Sequence, residues 1–176
     1  MRPPLFFCLC RHTLAAMILI EPSIRAKFGR SAFTKRGLEE FLVEAVTAAK
    51  LKGSVSVLLT GDAEIQRLNH DFRGKNKPTD VLSFPAGEHV GRARVAGDLA
   101  ISVETAAREA DRRGHPLALE LRVLLLHGIL HLAGFDHEKD SGEMARKENL
   151  LRKRLGLQQG LIARAEAKST RRGRRP

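Results

Sequence analysis

The feature of this 176-residue sequence that most constrains its fold is the apolar stretch that follows Pro116. It reads L-A-L-E-L-R-V-L-L-L-H-G-I-L-H-L-A before Gly134 is reached. A proline in the first turn and a glycine beyond the last turn favour a single helix, which we predict over residues 116–133. Because this helix is apolar on nearly every side, we expect it to be central and buried, with the other elements packed around it.

The remaining patterns predict an α+β domain with a small mixed sheet. Short apolar or β-branched runs at 17–21, 54–60, 81–84 and 97–103 predict about four strands. Helical periodicity predicts four helices in addition to the one over residues 116–133, about five in all. The four further helices run from a Thr34 cap to a stop at Gly53, from an Asp62 cap to residue 72, from a Ser102 or Thr105 cap to Gly114, and from Asp140 or Ser141 to Leu155. Strands and helices in this mixed order are typical of an α+β fold.

The two ends of the chain differ from this pattern and suggest domain boundaries. Residues 1–16 are interpreted as an N-terminal extension that is either disordered or not translated, with Met17 as the true start. Residues 17–160 form the predicted domain, and 161–176 a disordered basic tail. The apolar run at 5–10 is too short for a signal peptide, and none reaches the roughly 18 residues of a membrane span. Cys8 and Cys10 are too close in sequence for a good disulfide, which favours a reducing cytoplasm.

The charge of the chain favours polyanionic partners. The formal net charge is +11, and the isoelectric point is near 10.5. From Arg152 to Arg175 there are nine basic residues and one acid, Glu166, so most of the excess lies in the C-terminal tail. Binding to RNA or DNA through counterion release is therefore expected, although the body of the domain is only mildly basic.

Three histidines lie in the segment H-G-I-L-H-L-A-G-F-D-H, residues 127–137. Four helical residues turn through about 400°, so His127 and His131 should lie about 40° apart around the axis and one turn apart along it. Gly134 permits a left-handed turn that ends the helix, after which His137 can approach the same face. Three imidazoles and an open position are typical of a catalytic zinc site, which predicts one zinc ion per chain. Nickel and copper also suit imidazole ligands.

The same segment matches the metzincin pattern H-E-x-x-H-x-x-G-x-x-H except at its second position. Gly128 stands where those proteases carry the glutamate that acts as general base, which argues against peptide hydrolysis. A glycine here is expected to leave space above the metal for a phosphodiester. Asp80, Asp98, Asp136 and Glu138 are all available as a base, and the sequence selects none of them. Asp98 suits equally a partner that orients a ligand imidazole and a residue that simply ends a turn before a strand.

A second candidate feature is the polar loop R-G-K-N-K-P-T-D at residues 73–80. It places Arg73, Lys75 and Lys77 beside a glycine and a proline. A rigid basic loop suits phosphate, and arginine offers a planar fork for two oxygens. Spacing alone, however, is explained at least as well by an ordinary solvated turn.

Taken together, the segments R-G-K-N-K-P-T-D-V-L-S-F-P (73–85), G-D-L-A-I-S (97–102) and H-G-I-L-H-L-A-G-F-D-H (127–137) resemble the YbeY family of bacterial rRNA maturation factors. The resemblance spans roughly residues 17–155. It implies a metalloprotease-like α+β fold and a single-strand-specific, zinc-dependent endoribonuclease. It further implies that His127, His131 and His137 bind the zinc and that Arg73 has a catalytic role.

The resemblance also implies a place in 16S rRNA 3′-end maturation and ribosome quality control. The implied partners are rRNA and the small ribosomal subunit, together with ribosomal proteins and an assembly GTPase, with no membrane involved. Three alternatives remain open from the sequence. The chain could be a ribosome-assembly factor with a structural zinc and little catalysis, a metalloprotease, or a nucleic-acid-binding module that depends on its basic tail alone.

Overall fold

The computed structural model describes residues 16–86, 94–136 and 140–157, and these contain four strands and six helices. The strands are β1 (Ala16–Ile20), β2 (Ser54–Thr60), β3 (Val81–Pro85) and β4 (Val95–Ser102). The helices are α1 (Pro22–Phe28), α2 (Lys35–Ala49), α3 (Asp62–Arg73), α4 (Val103–Arg113), α5 (Leu117–Leu132) and α6 (Glu143–Arg154). The α+β class and the four-stranded sheet are confirmed.

The four strands form one mixed sheet in the order β1-β2-β4-β3. The pairs β1–β2 and β2–β4 are parallel, whereas β3 runs antiparallel to β4 at the edge. Side chains on a strand alternate between the two faces of a sheet. The face that carries Leu99 belongs to the larger core with α2 and α5, and the face that carries Ala100 packs with Ile65 and Leu68 of α3.

Helix α5 is the central element of the described fold, as its composition predicts. It packs against α2, α4, α6, β3 and β4. Leu121, Leu125, Leu126, Ile129 and Leu130 are all fully buried. Burial of each such side chain contributes about 1.5–3 kcal/mol, so this helix is fixed firmly against the sheet. Within the part of the chain that the structure describes, no helix combines the length and the apolar character needed to cross a membrane.

Several helix ends differ from the sequence predictions. Helix α1 was not predicted, because Pro22 was interpreted only as the end of β1, whereas it occupies the first turn of a seven-residue helix. Helix α2 ends at Ala49 and not at Gly53, since Lys50 adopts the left-handed conformation (φ 57°) that closes the helix.

The N-caps of the helices agree only in part with the prediction. Helix α3 is capped by Gly61 and not by Asp62, which lies within its first turn. The predicted caps Thr34 and Ser102 are confirmed by side-chain hydrogen bonds to Gly37 N and Thr105 N.

Several predictions concern residues outside the described ranges. They include both cysteines and most of the N-terminal extension, part of the connection at 87–96, and the basic tail. The proposed domain boundaries at 16/17 and 160/161 stay predictions.

Candidate metal centre

The last two turns of α5 bring His127 and His131 to one face of the helix. Their Nε2 atoms lie 3.1 Å apart, and the ring planes are inclined by 76°. Both residues are half-buried. Two imidazole nitrogens bound to a tetrahedral zinc ion at about 2.0–2.1 Å lie roughly 3.3 Å from each other, so this separation fits a shared ion. The predicted convergence of the two histidines is confirmed.

The end of α5 turns the chain back, as predicted from Gly134. Gly134 has a φ of +91°. Its N–H donates to His131 O (3.0 Å), and the N–H of Phe135 donates to Leu130 O (3.1 Å). These two bonds form a Schellman motif, in which a left-handed glycine satisfies the last carbonyls of a helix. The chain therefore reverses two residues before Asp136.

The proposed third ligand, His137, lies outside the described residues, between Asp136 and Asp140. These two flanking residues are close together, since Asp140 N donates to Asp136 O at 2.9 Å. Among the residues described on either side of this gap, no group of three or more His, Cys, Asp or Glu side chains is arranged to hold a metal ion. The role of His137 stays a prediction.

Helix α6 supplies a carboxylate that the sequence interpretation missed. Glu148 Oε2 lies 3.0 Å from His127 Nδ1, and Glu148 Oε1 forms an ion pair with Arg152 Nη2. Burial pushes the pKa of Glu148 upward, but the contacts with His127 and Arg152 outweigh it and hold this pKa below its usual range. Since an ionised carboxylate can only accept, His127 Nδ1 is the donor in this contact, and Nε2 is the nitrogen that faces His131.

The space expected above the metal at Gly128 is not present. A Cβ built on Gly128 would lie 2.8 Å from Leu99 Cδ2 and 3.0 Å from Leu99 Cδ1, and Leu99 is itself buried in the sheet. The glycine therefore allows α5 to pack closely on β4. The position of the metzincin base is occupied by the core and not by an opening for substrate.

Arg73 is the last residue of α3 and not part of the loop, which begins at Gly74. Its Nη2 donates to Ser83 O at 3.3 Å, which anchors the guanidinium to β3. Strand β3 also packs on α5, the helix that carries His127 and His131. Arg73 and the two histidines are therefore both placed next to the same strand. The loop is held in place by buried Asn69, whose side-chain amide donates to Lys77 O at 2.7 Å and whose backbone carbonyl accepts from Lys75 N at 3.2 Å. These two hydrogen bonds join the loop to α3, and the rigidity of the loop stays a prediction.

Two of the candidate acids form hydrogen bonds of their own in this structure, and their roles as a base stay predictions. Asp80 Oδ1 accepts from Val81 N at 2.9 Å at the start of β3. Asp98 lies on the face of β4 opposite to Gly97 and Leu99, which face α5. Burial raises the pKa of Asp98, and a hydrogen bond with Ser56 opposes this shift. Asp98 therefore lies on the face of the sheet away from α5, which carries His127 and His131, and its role as a partner of a ligand imidazole stays a prediction.

A cavity of about 470 Å³ lies beside this centre, between α4, α5 and α6. Among the described residues its lining includes His127, Glu148 and Arg152 but not His131. The cavity therefore lies beside Glu148, the residue that contacts His127 Nδ1.

Comparisons with known proteins show which family this chain is similar to. The family model described as Endoribonuclease YbeY matches residues 25–156. The chain is similar to Endoribonuclease YbeY of Koribacter versatilis, with 49% identity over 134 residues, which are 74% of this chain and 84% of that protein. It is 43% identical to Endoribonuclease YbeY of Aquifex aeolicus over 121 residues, 68% of this chain and 81% of the relative. The solution structure of TM1509 from Thermotoga maritima is similar with a TM-score of 0.52 and 34% identity, covering 76% of this chain and 84% of that one.

Proposed function

Since the chain belongs to the endoribonuclease YbeY family, we propose that it cleaves single-stranded RNA with the help of one zinc ion held by His127, His131 and His137. The observation that supports this proposal most directly is the 3.1 Å separation of the Nε2 atoms of His127 and His131. Two such nitrogens that approach this closely share either a proton or a cation. Because His127 Nδ1 contacts the Glu148 carboxylate, Nε2 is the nitrogen of this ring that would bind the metal.

Zinc in such a centre supplies Lewis-acid chemistry, because it polarises a phosphoryl oxygen and makes water more acidic. The proposed task of Arg73 is to bind the non-bridging oxygens of the scissile phosphate and to neutralise the charge that develops during cleavage. Its guanidinium is exposed at the end of α3, and within the described residues only its Nη2 atom donates a hydrogen bond, to Ser83 O. Several N–H donors of its planar fork thus remain for a phosphate.

The metal dependence is tested by removing zinc from the purified protein. Elemental analysis is expected to give about one zinc per chain. A chelator should abolish cleavage of a single-stranded RNA, added zinc should restore it, and a duplex of the same sequence should be cut poorly. Cleavage that continues at full rate after the zinc has been removed would contradict the proposal.

Replacing Arg73 is expected to slow catalysis without unfolding the protein. Arg73→Gln should lower kcat by about 100-fold or more, the usual effect of removing one donor to a developing anion. Arg73→Lys keeps the charge but loses the planar fork of the guanidinium, so its kcat should lie between those of the wild type and Arg73→Gln. Single-turnover cleavage measures the effect, with Lys75→Gln in the same basic loop as the matched control. Equal rates for Arg73→Gln and Lys75→Gln would show that Arg73 acts only as a surface charge.

We place this activity in 16S rRNA 3′-end maturation and ribosome quality control in the cytoplasm. The proposed partners are rRNA, the small ribosomal subunit, ribosomal proteins and an assembly GTPase. Family membership and the basic charge of the chain support this role. A precursor with an extended 16S 3′ end should accumulate in cells that carry only an inactive variant.

A further inference from the structure

Glu148 occupies an unusual position between two cationic or hydrogen-bonding groups. Its side chain is 14% exposed, although it belongs to a helix whose neighbouring residues are mostly exposed. One carboxylate oxygen contacts His127 Nδ1, and the other contacts Arg152, one turn further along α6. The carboxylate is therefore held from both sides, and its orientation is fixed.

We infer that Glu148 is a positioning residue of the zinc centre, which holds the His127 ring with Nε2 directed toward His131 and is itself held by Arg152. The inference rests on the proposed function, because it takes zinc as the ligand. A metal-bound imidazole usually donates its other N–H to a carboxylate or carbonyl, which fixes the tautomer and makes the ring a stronger ligand. Glu148 meets this description, although it lies on a different helix from His127, 21 positions further along the chain.

The arrangement argues against Glu148 as the base that activates the nucleophile. Its contact is with Nδ1, on the side of the imidazole away from the Nε2 atoms. Its second oxygen is occupied by the Arg152 guanidinium. A role for Glu148 through His127 is therefore favoured over direct contact with RNA.

The contact between Glu148 and His127 could also serve only to join α6 to α5. The experiment therefore has to separate this structural role from the positioning of a zinc ligand. Zinc affinity is measured by competition with a chromophoric chelator for the wild type, Glu148→Ala, Glu148→Gln and Arg152→Met. Removal of such a carboxylate typically weakens metal binding by 10–100-fold, and we expect this for Glu148→Ala. Glu148→Gln keeps an acceptor oxygen, and Arg152→Met keeps the carboxylate, so both should give smaller losses. Glu143→Gln, on the exposed first turn of α6, is the matched control and should bind zinc as the wild type does.

A second measurement examines the histidine itself in zinc-free protein. Nitrogen-15 NMR of the imidazoles should show His127 protonated on Nδ1 in the wild type and a mixture of tautomers in Glu148→Ala. Wild-type zinc affinity in a folded Glu148→Ala protein would overturn the inference. If Glu148→Ala does not fold, the zinc affinities of Glu148→Gln and Arg152→Met are compared with that of the wild type. Wild-type affinity in both variants would also overturn the inference. A wild-type protein that binds no zinc would instead refute the proposed function.

Discussion

Replacing His131 with alanine is expected to remove zinc binding and RNA cleavage together. The substitution deletes one of the two nitrogens that meet at 3.1 Å, and a catalytic zinc centre with three protein ligands cannot readily lose one of them. The cleavage rate should fall by more than about 100-fold, which is at least the effect of losing a single electrostatic stabiliser. Elemental analysis and single-turnover cleavage of a single-stranded RNA measure both effects on the same preparation.

His70→Ala is the matched control for this experiment. His70 lies near the end of α3 with its side chain 62% exposed, and its Nδ1 atom is 3.2 Å from Asp71 Oδ1. The control should keep wild-type zinc content and activity. If His131→Ala loses zinc while both it and the wild type show equal trace cleavage, the trace activity comes from a contaminant. The chain would then act as a ribosome-assembly factor that binds rRNA without cutting it.

Replacing Gly128 with glutamate, to restore the metzincin pattern, is expected to unfold the domain and not to create a protease. The new Cβ would meet both methyl groups of Leu99, and overpacking of a filled core costs typically 1–3 kcal/mol. The carboxylate adds the cost of an unpaired buried charge. We therefore expect a loss of more than about 4 kcal/mol in the free energy of unfolding, measured by chemical denaturation.

Gly128→Ala separates the steric cost from the charge. A better helix residue gains about 1 kcal/mol, which partly offsets the contact with Leu99, so the net loss should be about 0–2 kcal/mol. Combining Gly128→Ala with Leu99→Ala should relieve the contact and give a favourable coupling in a double-mutant cycle. A Gly128→Glu protein that folds normally and digests casein would show that this position faces the metal after all.

Local patterns in the sequence predict much of this fold, because they report on contacts within a few residues. The central helix, the four strands and the caps at Thr34 and Ser102 are confirmed for this reason. Helix α1 was missed because seven residues give too short a periodic signal. The early end of α2 depends on a left-handed lysine, a conformation that sequence patterns associate with glycine.

The candidate site follows the same division. The pairing of His127 with His131 is a property of one helix and could be predicted from spacing alone. The contact of Glu148 with His127 depends on how α6 crosses α5, which no local pattern specifies. Likewise, the space beside Gly128 is filled by Leu99 of β4. This contact is distant in sequence, so the sequence alone wrongly suggested an opening there.

The burial of α5 has a consequence for the order in which the protein and its metal come together. The helix is held by leucines and isoleucines of the core, and its two histidines are spaced by its own backbone. Their separation is thus set by the hydrophobic packing of α5, unlike the ligand spacing of small zinc domains that are unfolded without metal. If the proposed zinc binds here, we expect the protein to stay folded after a chelator has removed the metal.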